Sequence, residues 1–138
     1  MRSAWRALMV GVGLLLLAGC AEPPPYTNVD NAGLKQLIED GVPVVDVRRP
    51  EEWRETGVVA GSERLTFVDA SGRVAPGFLD RLTARVDKDE PIVLICRTGN
   101  RTDVLARHMV EQLGYSRVYN VRDGIMGWLG DGLPVDRG

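Results

Sequence analysis

The stretch PIVLICRTGNRT, Pro91 to Thr102, decides the fold. Ile92-Val93-Leu94-Ile95 is apolar at every position, with no alternation. Such a run, too short for a helix and rich in β-branched residues, predicts a strand buried on both faces. Apolar character stops at Cys96, and a loop with two arginines and a glycine begins. Val104, Leu105, Met109 and Leu113 then recur at helical spacing, with Gly114 as the stop, which predicts a helix over 101–113. A buried strand, a tight glycine-containing turn and a helix form the first half of a parallel βα unit.

The same punctuation recurs outward from this unit. Pro43 to Val47 (PVVDV) reads as a second buried strand. Pro50, with Glu51 and Glu52 behind it, opens a short helix that ends at Gly57, because proline fits the first helical turn and acids suit the positive end of the dipole. Asp30 or Asn31 can cap an earlier helix carrying Leu34, Leu37 and Ile38 on one face. Residues 65–68 suit a short strand. Phe78, Leu82 and Val86 suit one helix face, 117–121 a third main strand, and 125–129 a last short helix. The expected fold class is α/β: a small, mainly parallel central sheet with helices on both faces. In such sheets ligands bind beyond the carboxyl ends of the strands. Cys96 and Asp46 both fall at such ends.

The first residues are a separate object. Arg2 and Arg6 precede an apolar core, Ala7 to Ala18, that is too short for a comfortable membrane span and suits a signal peptide. It ends in Leu17-Ala18-Gly19-Cys20 and so resembles a bacterial lipoprotein signal, in which the cysteine is lipidated and becomes the new terminus. The competing reading is an ordinary secretory signal cut near Gly19. The expected organisation is a signal peptide at 1–19, a tether at 20–29 containing Pro23-Pro24-Pro25, and one domain at 30–138. The lipoprotein resemblance implies the bacterial cell envelope, with a lipid on Cys20 (palmitate among its acyl chains), the domain in the periplasm, and the outer membrane slightly favoured by Ala21.

Loss of the leader removes both of its arginines, leaving 15 basic against 19 acidic residues and a formal charge of −4. No Lys/Arg run exceeds two residues, which argues against nucleic acid as a partner. A single histidine and two cysteines provide no zinc-ligand set. If Cys20 carries lipid, Cys96 is the domain's lone thiol and has no partner for a disulfide.

The loop's physics suggests what that thiol does. The first N–H groups of a helix lack partners within the helix and, with its dipole, attract negative charge. Gly99 can take positive φ, so the loop can curl and turn successive N–H groups inward. A cysteine facing this cradle is favoured as the thiolate, and Arg97 and Arg101 add donors suited to oxyanions, with pairing to a carboxylate near the loop as the equal alternative for Arg101. Two chemistries fit a thiolate nucleophile here: sulfur transfer through a persulfide, and phosphate or arsenate chemistry through a cysteine adduct. Thr98 and Asn100 are expected to contribute backbone N–H groups. Asp46 is expected to support the loop, with a general-base role as the alternative. Arg48 is expected to pair with Glu51, Glu52 or another acid. His108 lies about 10 Å along the helix from Arg101, far for a proton shuttle.

Cys96-Arg97-Thr98-Gly99-Asn100-Arg101 resembles the active-site loop of the single-domain rhodaneses, the thiosulfate sulfurtransferases. Val44-Val45-Asp46-Val47-Arg48-Arg49-Pro50-Glu51-Glu52-Trp53 is similar to that family's strand-to-helix signature. Gly124-Ile125-Met126-Gly127-Trp128, followed by Gly132-Leu133-Pro134-Val135, is similar to its C-terminal signature. The resemblance spans roughly residues 30 to 135. It implies a rhodanese-like fold and a persulfide on Cys96 held by residues 97 to 101. It also implies a thiosulfate-like donor, a thiol, cyanide or protein-cysteine acceptor, and no metal or organic cofactor. Related phosphatases place one more residue between cysteine and arginine; the shorter loop here favours a single sulfur atom over a tetrahedral phosphate. The chain departs from the family's Gly-His-Ile segment, having Gly57-Val58-Val59-Ala60-Gly61 instead. The remaining alternatives are an arsenate reductase or phosphatase, a non-catalytic docking module on the same fold, and a sulfur carrier loaded by a partner protein.

Overall fold

The computed structural model describes residues 19–138; all but the last residue of the leader expected at 1–19 lies outside them. Ten elements follow in order: β1 (Thr27–Val29), α1 (Asn31–Glu39), β2 (Val44–Asp46), α2 (Pro50–Thr56), β3 (Glu63–Arg64), α3 (Phe78–Thr83), β4 (Ile92–Ile95), α4 (Asn100–Glu111), β5 (Val118–Val121) and α5 (Gly124–Gly130). The strands form one sheet in the order β1-β5-β4-β2-β3, and every pairing is parallel.

Strand β4 is central because it is apolar on both faces. It pairs with β2 in the register Val44↔Val93 to Asp46↔Ile95, and with β5 from Ile92↔Val118 to Leu94↔Asn120. Its alternating side chains supply two cores. Ile92 and Leu94 pack with Phe78 and Leu82 of α3 and Leu105 and Met109 of α4. Val93 and Ile95 pack with Leu34 of α1 and Ile125 and Trp128 of α5. All four β4 side chains are fully buried, so the unbroken apolar run has its explanation in helices on both sides.

Local chemistry sets the element ends. Asp30 caps α1 by accepting from the Gly33 N–H at 2.8 Å. Pro50 opens α2, and Glu52 Oε2 accepts from the Arg49 N–H at 3.0 Å, so one orphan donor at the helix start is satisfied. Segment 57–61 is held by burial and by backbone pairing. Val58 and Val59 are buried, and Val58 exchanges backbone hydrogen bonds with Asp136 (2.8 and 2.7 Å), tying the C-terminal segment to the domain.

Three expectations need correction. The segment read as a tether over 20–29 enters the sheet at Thr27: β1 pairs with β5, and the Arg122 N–H reaches the Val29 carbonyl at 3.0 Å. Its residues are exposed or half-buried, so no apolar pattern announced an edge strand. The strand expected at 65–68 is assigned at Glu63–Arg64 instead, although the Leu65 and Phe67 N–H groups still bond the Asp46 and Val47 carbonyls at 3.0 Å each. Helix α3 ends at Thr83, so Val86 is buried beyond the helix rather than on it.

Strand β1 is tied to the body by side chains as well. The Tyr26 hydroxyl donates to Asp103 on α4 at 2.5 Å, and Asn120 Nδ2 donates to Asn28 Oδ1 at 3.1 Å. A chain beginning at residue 30 is therefore expected to be less stable than one beginning at residue 21 by about 2–4 kcal/mol, the worth of a few hydrogen bonds and a covered sheet edge. Urea unfolding of the two forms measures the difference.

Candidate active site

Cys96 is the first residue after β4, and its side chain is 1% exposed. The loop behind it is held in place by the β5–α5 turn. The Cys96 and Arg97 carbonyls accept from the Ile125 and Met126 N–H groups at 2.9 and 3.1 Å. This close approach requires glycine on both sides. Gly99 has φ +90°, and a Cβ there would lie 2.1 Å from the Arg122 carbonyl oxygen; Gly124 has φ +60°, and its Cβ would lie 2.3 Å from the Arg97 oxygen. Only glycine takes such conformations without strain, and only glycine leaves the space.

With its carbonyls turned toward α5, the loop has N–H groups to spare. The Gly99 N–H points at Cys96 Sγ, 3.2 Å away. The backbone N–H groups of Arg97, Thr98, Asn100, Arg101 and Thr102 have no backbone acceptor among the described residues. Together with the start of the twelve-residue helix α4, they form a donor-rich setting for a sulfur anion.

The two arginines divide their work. Arg101 forks onto one carboxylate, with Nη1 2.8 Å from Glu52 Oε2 and Nη2 2.6 Å from Oε1. Burial pushes the Glu52 carboxyl up, but the Arg101 hydrogen bonds, the Arg49 N–H and the charges of both arginines outweigh it and hold the pKa at about 2. The same carboxylate, opposed by partial burial, raises the Arg101 pKa. Arg101 is thus a strut between α4 and α2. Arg97 is exposed and free of ion pairs among the described residues, which leaves it available to an incoming anion. Thr98 and Asn100 are also exposed.

Asp46 and Arg48 are fully buried and belong to each other. Arg48 Nε and Nη2 bond Asp46 at 3.0 and 2.8 Å. The remaining guanidinium donors reach Thr56 Oγ1 and the Gly57 carbonyl at 2.8 Å each. Asp46 also accepts from Trp53 Nε1 and from the Arg48 N–H. A carboxylate with so many donors joins β2 to α2 and has little capacity left for a base's role. The acid paired with Arg48 is Asp46 rather than Glu51 or Glu52.

Sequence reasoning missed two buried polar residues, one at the sulfur and one behind it. The Thr102 hydroxyl lies 3.2 Å from Cys96 Sγ and 2.5 Å from Asn120 Oδ1. Asn120 is the polar residue within the otherwise apolar end of β5, and that interruption was the available signal. His108 lines an apolar cavity of about 240 Å³ with Phe67, Val74, Leu79, Val104 and Leu105. Cys20 is exposed.

Comparison with known proteins agrees with this geometry. The Rhodanese-like domain profile matches residues 30–131. The chain belongs to the rhodanese-like family. It is 41% identical over 113 residues to the thiosulfate sulfurtransferase GlpE of Actinobacillus pleuropneumoniae, covering 80% of this chain and 94% of that one. It is 30% identical over 110 residues to a sulfurtransferase of Allochromatium vinosum, covering 78% and 92%. Its fold is similar to that of a rhodanese-related protein of Thermoplasma volcanium, with a TM-score of 0.61 and 28% identity over 82% of this chain and 100% of that one. The rhodanese-like match begins at residue 30, so β1 lies just outside it.

The Glu52–Arg101 fork gives a pH signature. Because the folded carboxyl is held below its ordinary 4.5 at about 2, its contribution to stability is complete above about pH 4.5 and fades as pH falls toward 2. Glu52→Gln is expected to cost roughly 1–3 kcal/mol at pH 7. The gap between variant and wild type should close over that acid window, as read by urea unfolding at a series of pH values.

Proposed function

We propose that this rhodanese-like protein is a sulfurtransferase that carries sulfane sulfur on Cys96. The observation that supports it most is the Cys96 sulfur at the end of β4, met by the Gly99 N–H inside a loop with four residues between Cys96 and Arg101. The Cys96 thiolate attacks the outer sulfur of thiosulfate or a related donor. The S–S bond of the donor breaks, sulfite leaves with the bonding pair, and a Cys96 persulfide remains. Its outer sulfur carries the negative charge and is stabilised by the free N–H groups of Arg97, Thr98 and residues 100 to 102. Arg97 draws the anionic donor in, and Arg101 holds the loop's shape through Glu52. Cyanide, a small thiol or a protein cysteine then takes the outer sulfur, and the Cys96 thiolate is regenerated. The two half-reactions predict ping-pong kinetics.

The proposed location is the bacterial envelope, with lipid on Cys20 and the domain on the periplasmic side. Leu17-Ala18-Gly19-Cys20 supports this, and Pro23 to Pro25 would serve as a short spacer. Among the described residues no helix is long and apolar enough to cross a membrane, so on this reading acyl chains do the anchoring.

Intact mass of the purified protein before and after thiosulfate, with peptide mapping, tests the chemistry. The expected result is a gain of one sulfur atom on the Cys96 peptide, reversed by cyanide and absent in Cys96→Ser. Full sulfur transfer by Cys96→Ser would overturn the reading, and phosphate inhibition without persulfide would point to oxyanion chemistry. Arg97→Ala is expected to raise KM for thiosulfate ~5-fold, the worth of one exposed charge contact, while still forming the persulfide.

A further inference from the structure

The polar residues behind the sulfur form a chain with too few protons. Thr102 has one hydroxyl proton and three acceptors within reach: Cys96 Sγ at 3.2 Å, the Gly99 carbonyl at 3.2 Å and Asn120 Oδ1 at 2.5 Å. The orientation of the Asn120 amide decides which acceptor wins. Its Nδ2 lies 3.3 Å from the Gly99 carbonyl and 3.1 Å from Asn28 Oδ1. A backbone carbonyl can only accept, so the NH2 end must face Gly99. The amide oxygen is thereby fixed against Thr102. Thr102 and Asn120 are both buried, at 0% and 2% exposed, so water offers neither of them easy compensation.

We propose that Asn120 is a positioning residue that claims the Thr102 proton and withholds it from Cys96, favouring the thiol and the persulfide over the bare thiolate. The inference rests on the reading of Cys96 as the sulfur-carrying residue and deepens it. In the thiol, the Cys96 S–H donates to Thr102 Oγ1, and Thr102 donates to Asn120. All donors and acceptors then run in one direction. A bare thiolate calls for the Thr102 proton, and meeting that call leaves the Asn120 oxygen buried without its donor. Forming the persulfide moves the negative charge one atom outward. The inner sulfur no longer needs the Thr102 proton, and the proton stays with Asn120. The network thus weights the persulfide over the bare thiolate, and Asn28 on β1 helps by holding the amide.

The test is the rate of Cys96 alkylation by iodoacetamide at pH 7 in the full chain, read on the Cys96 peptide so that Cys20 does not contribute. No sulfur donor is present, so the outcome does not depend on sulfur transfer. Asn120→Leu is expected to accelerate alkylation ~3- to 10-fold, the worth of one neutral hydrogen bond. The same substitution in a Thr102→Val background should change the rate less than ~2-fold. Equal acceleration in both backgrounds would show that the loop has merely loosened and would overturn the proposal. No acceleration with Thr102 present would overturn it as well. Thr102→Val alone supplies a second reading should Asn120→Leu fail to fold: a rate no slower than wild type supports a withheld proton, and a ~10-fold loss would show that Thr102 already donates to sulfur. If thiosulfate loads the protein, the ratio of persulfide to unloaded Cys96 at fixed thiosulfate and sulfite should also fall several-fold in Asn120→Leu at alkaline pH, where the unloaded form is the thiolate. If thiosulfate does not load it, the alkylation pattern still decides the proton's place, and only the sulfur-transfer reading fails.

Discussion

The carbonyls of Cys96 and Arg97 face α5, and the rest of the site depends on that choice. Once Ile125 and Met126 take those oxygens, the peptide planes of the loop must present their N–H groups to the other side. The sulfur is then set among donors that the backbone itself supplies. Two glycines make the approach possible, one on the loop and one on the turn that meets it. Each gives up a side chain so that the backbone of one segment can contact the backbone of the other. The parallel sheet sets up the meeting, because β4 and β5 run side by side and deliver both turns to the same edge.

Around this contact, two ion pairs separate support from chemistry. Asp46 and Arg48 are sealed under α2 and join β2 to the residues that follow it. Glu52 and Arg101 lie nearer the surface and join α2 to α4. Glu52 also accepts from the start of its own helix, so one carboxylate sets the position of α2 and of the loop arginine together. This leaves Arg97 as the arginine of the loop that remains free for an incoming anion.

Much of this was legible in the sequence, for identifiable reasons. Ile92 to Ile95 could be read as a doubly buried strand because burial on both faces removes alternation. Pro50 and Gly57 bracketed α2, and Gly99 marked the tight turn before α4. The edges were not legible. Thr27 to Val29 and Glu63 to Arg64 are held by backbone pairing with a neighbour, and pairing leaves no mark on side-chain pattern when both faces are wet. The Arg101–Glu52 fork joins residues 49 positions apart, a relation that spacing along the chain cannot express. Thr102 and Asn120 were obscured differently: each is an ordinary polar residue until the fold buries the first against the sulfur and the second against the first.

The position of β1 has a mechanical consequence. Tyr26 bonds α4 within its first turns, and Asn28 bonds the amide that steadies Gly99 and Thr102. A pull applied through the preceding residues is borne first by these two side chains and by the β1–β5 ladder. The load path therefore runs directly to the segment that holds the thiol, and tension at the N-terminal end reaches the sulfur's surroundings before it reaches the core.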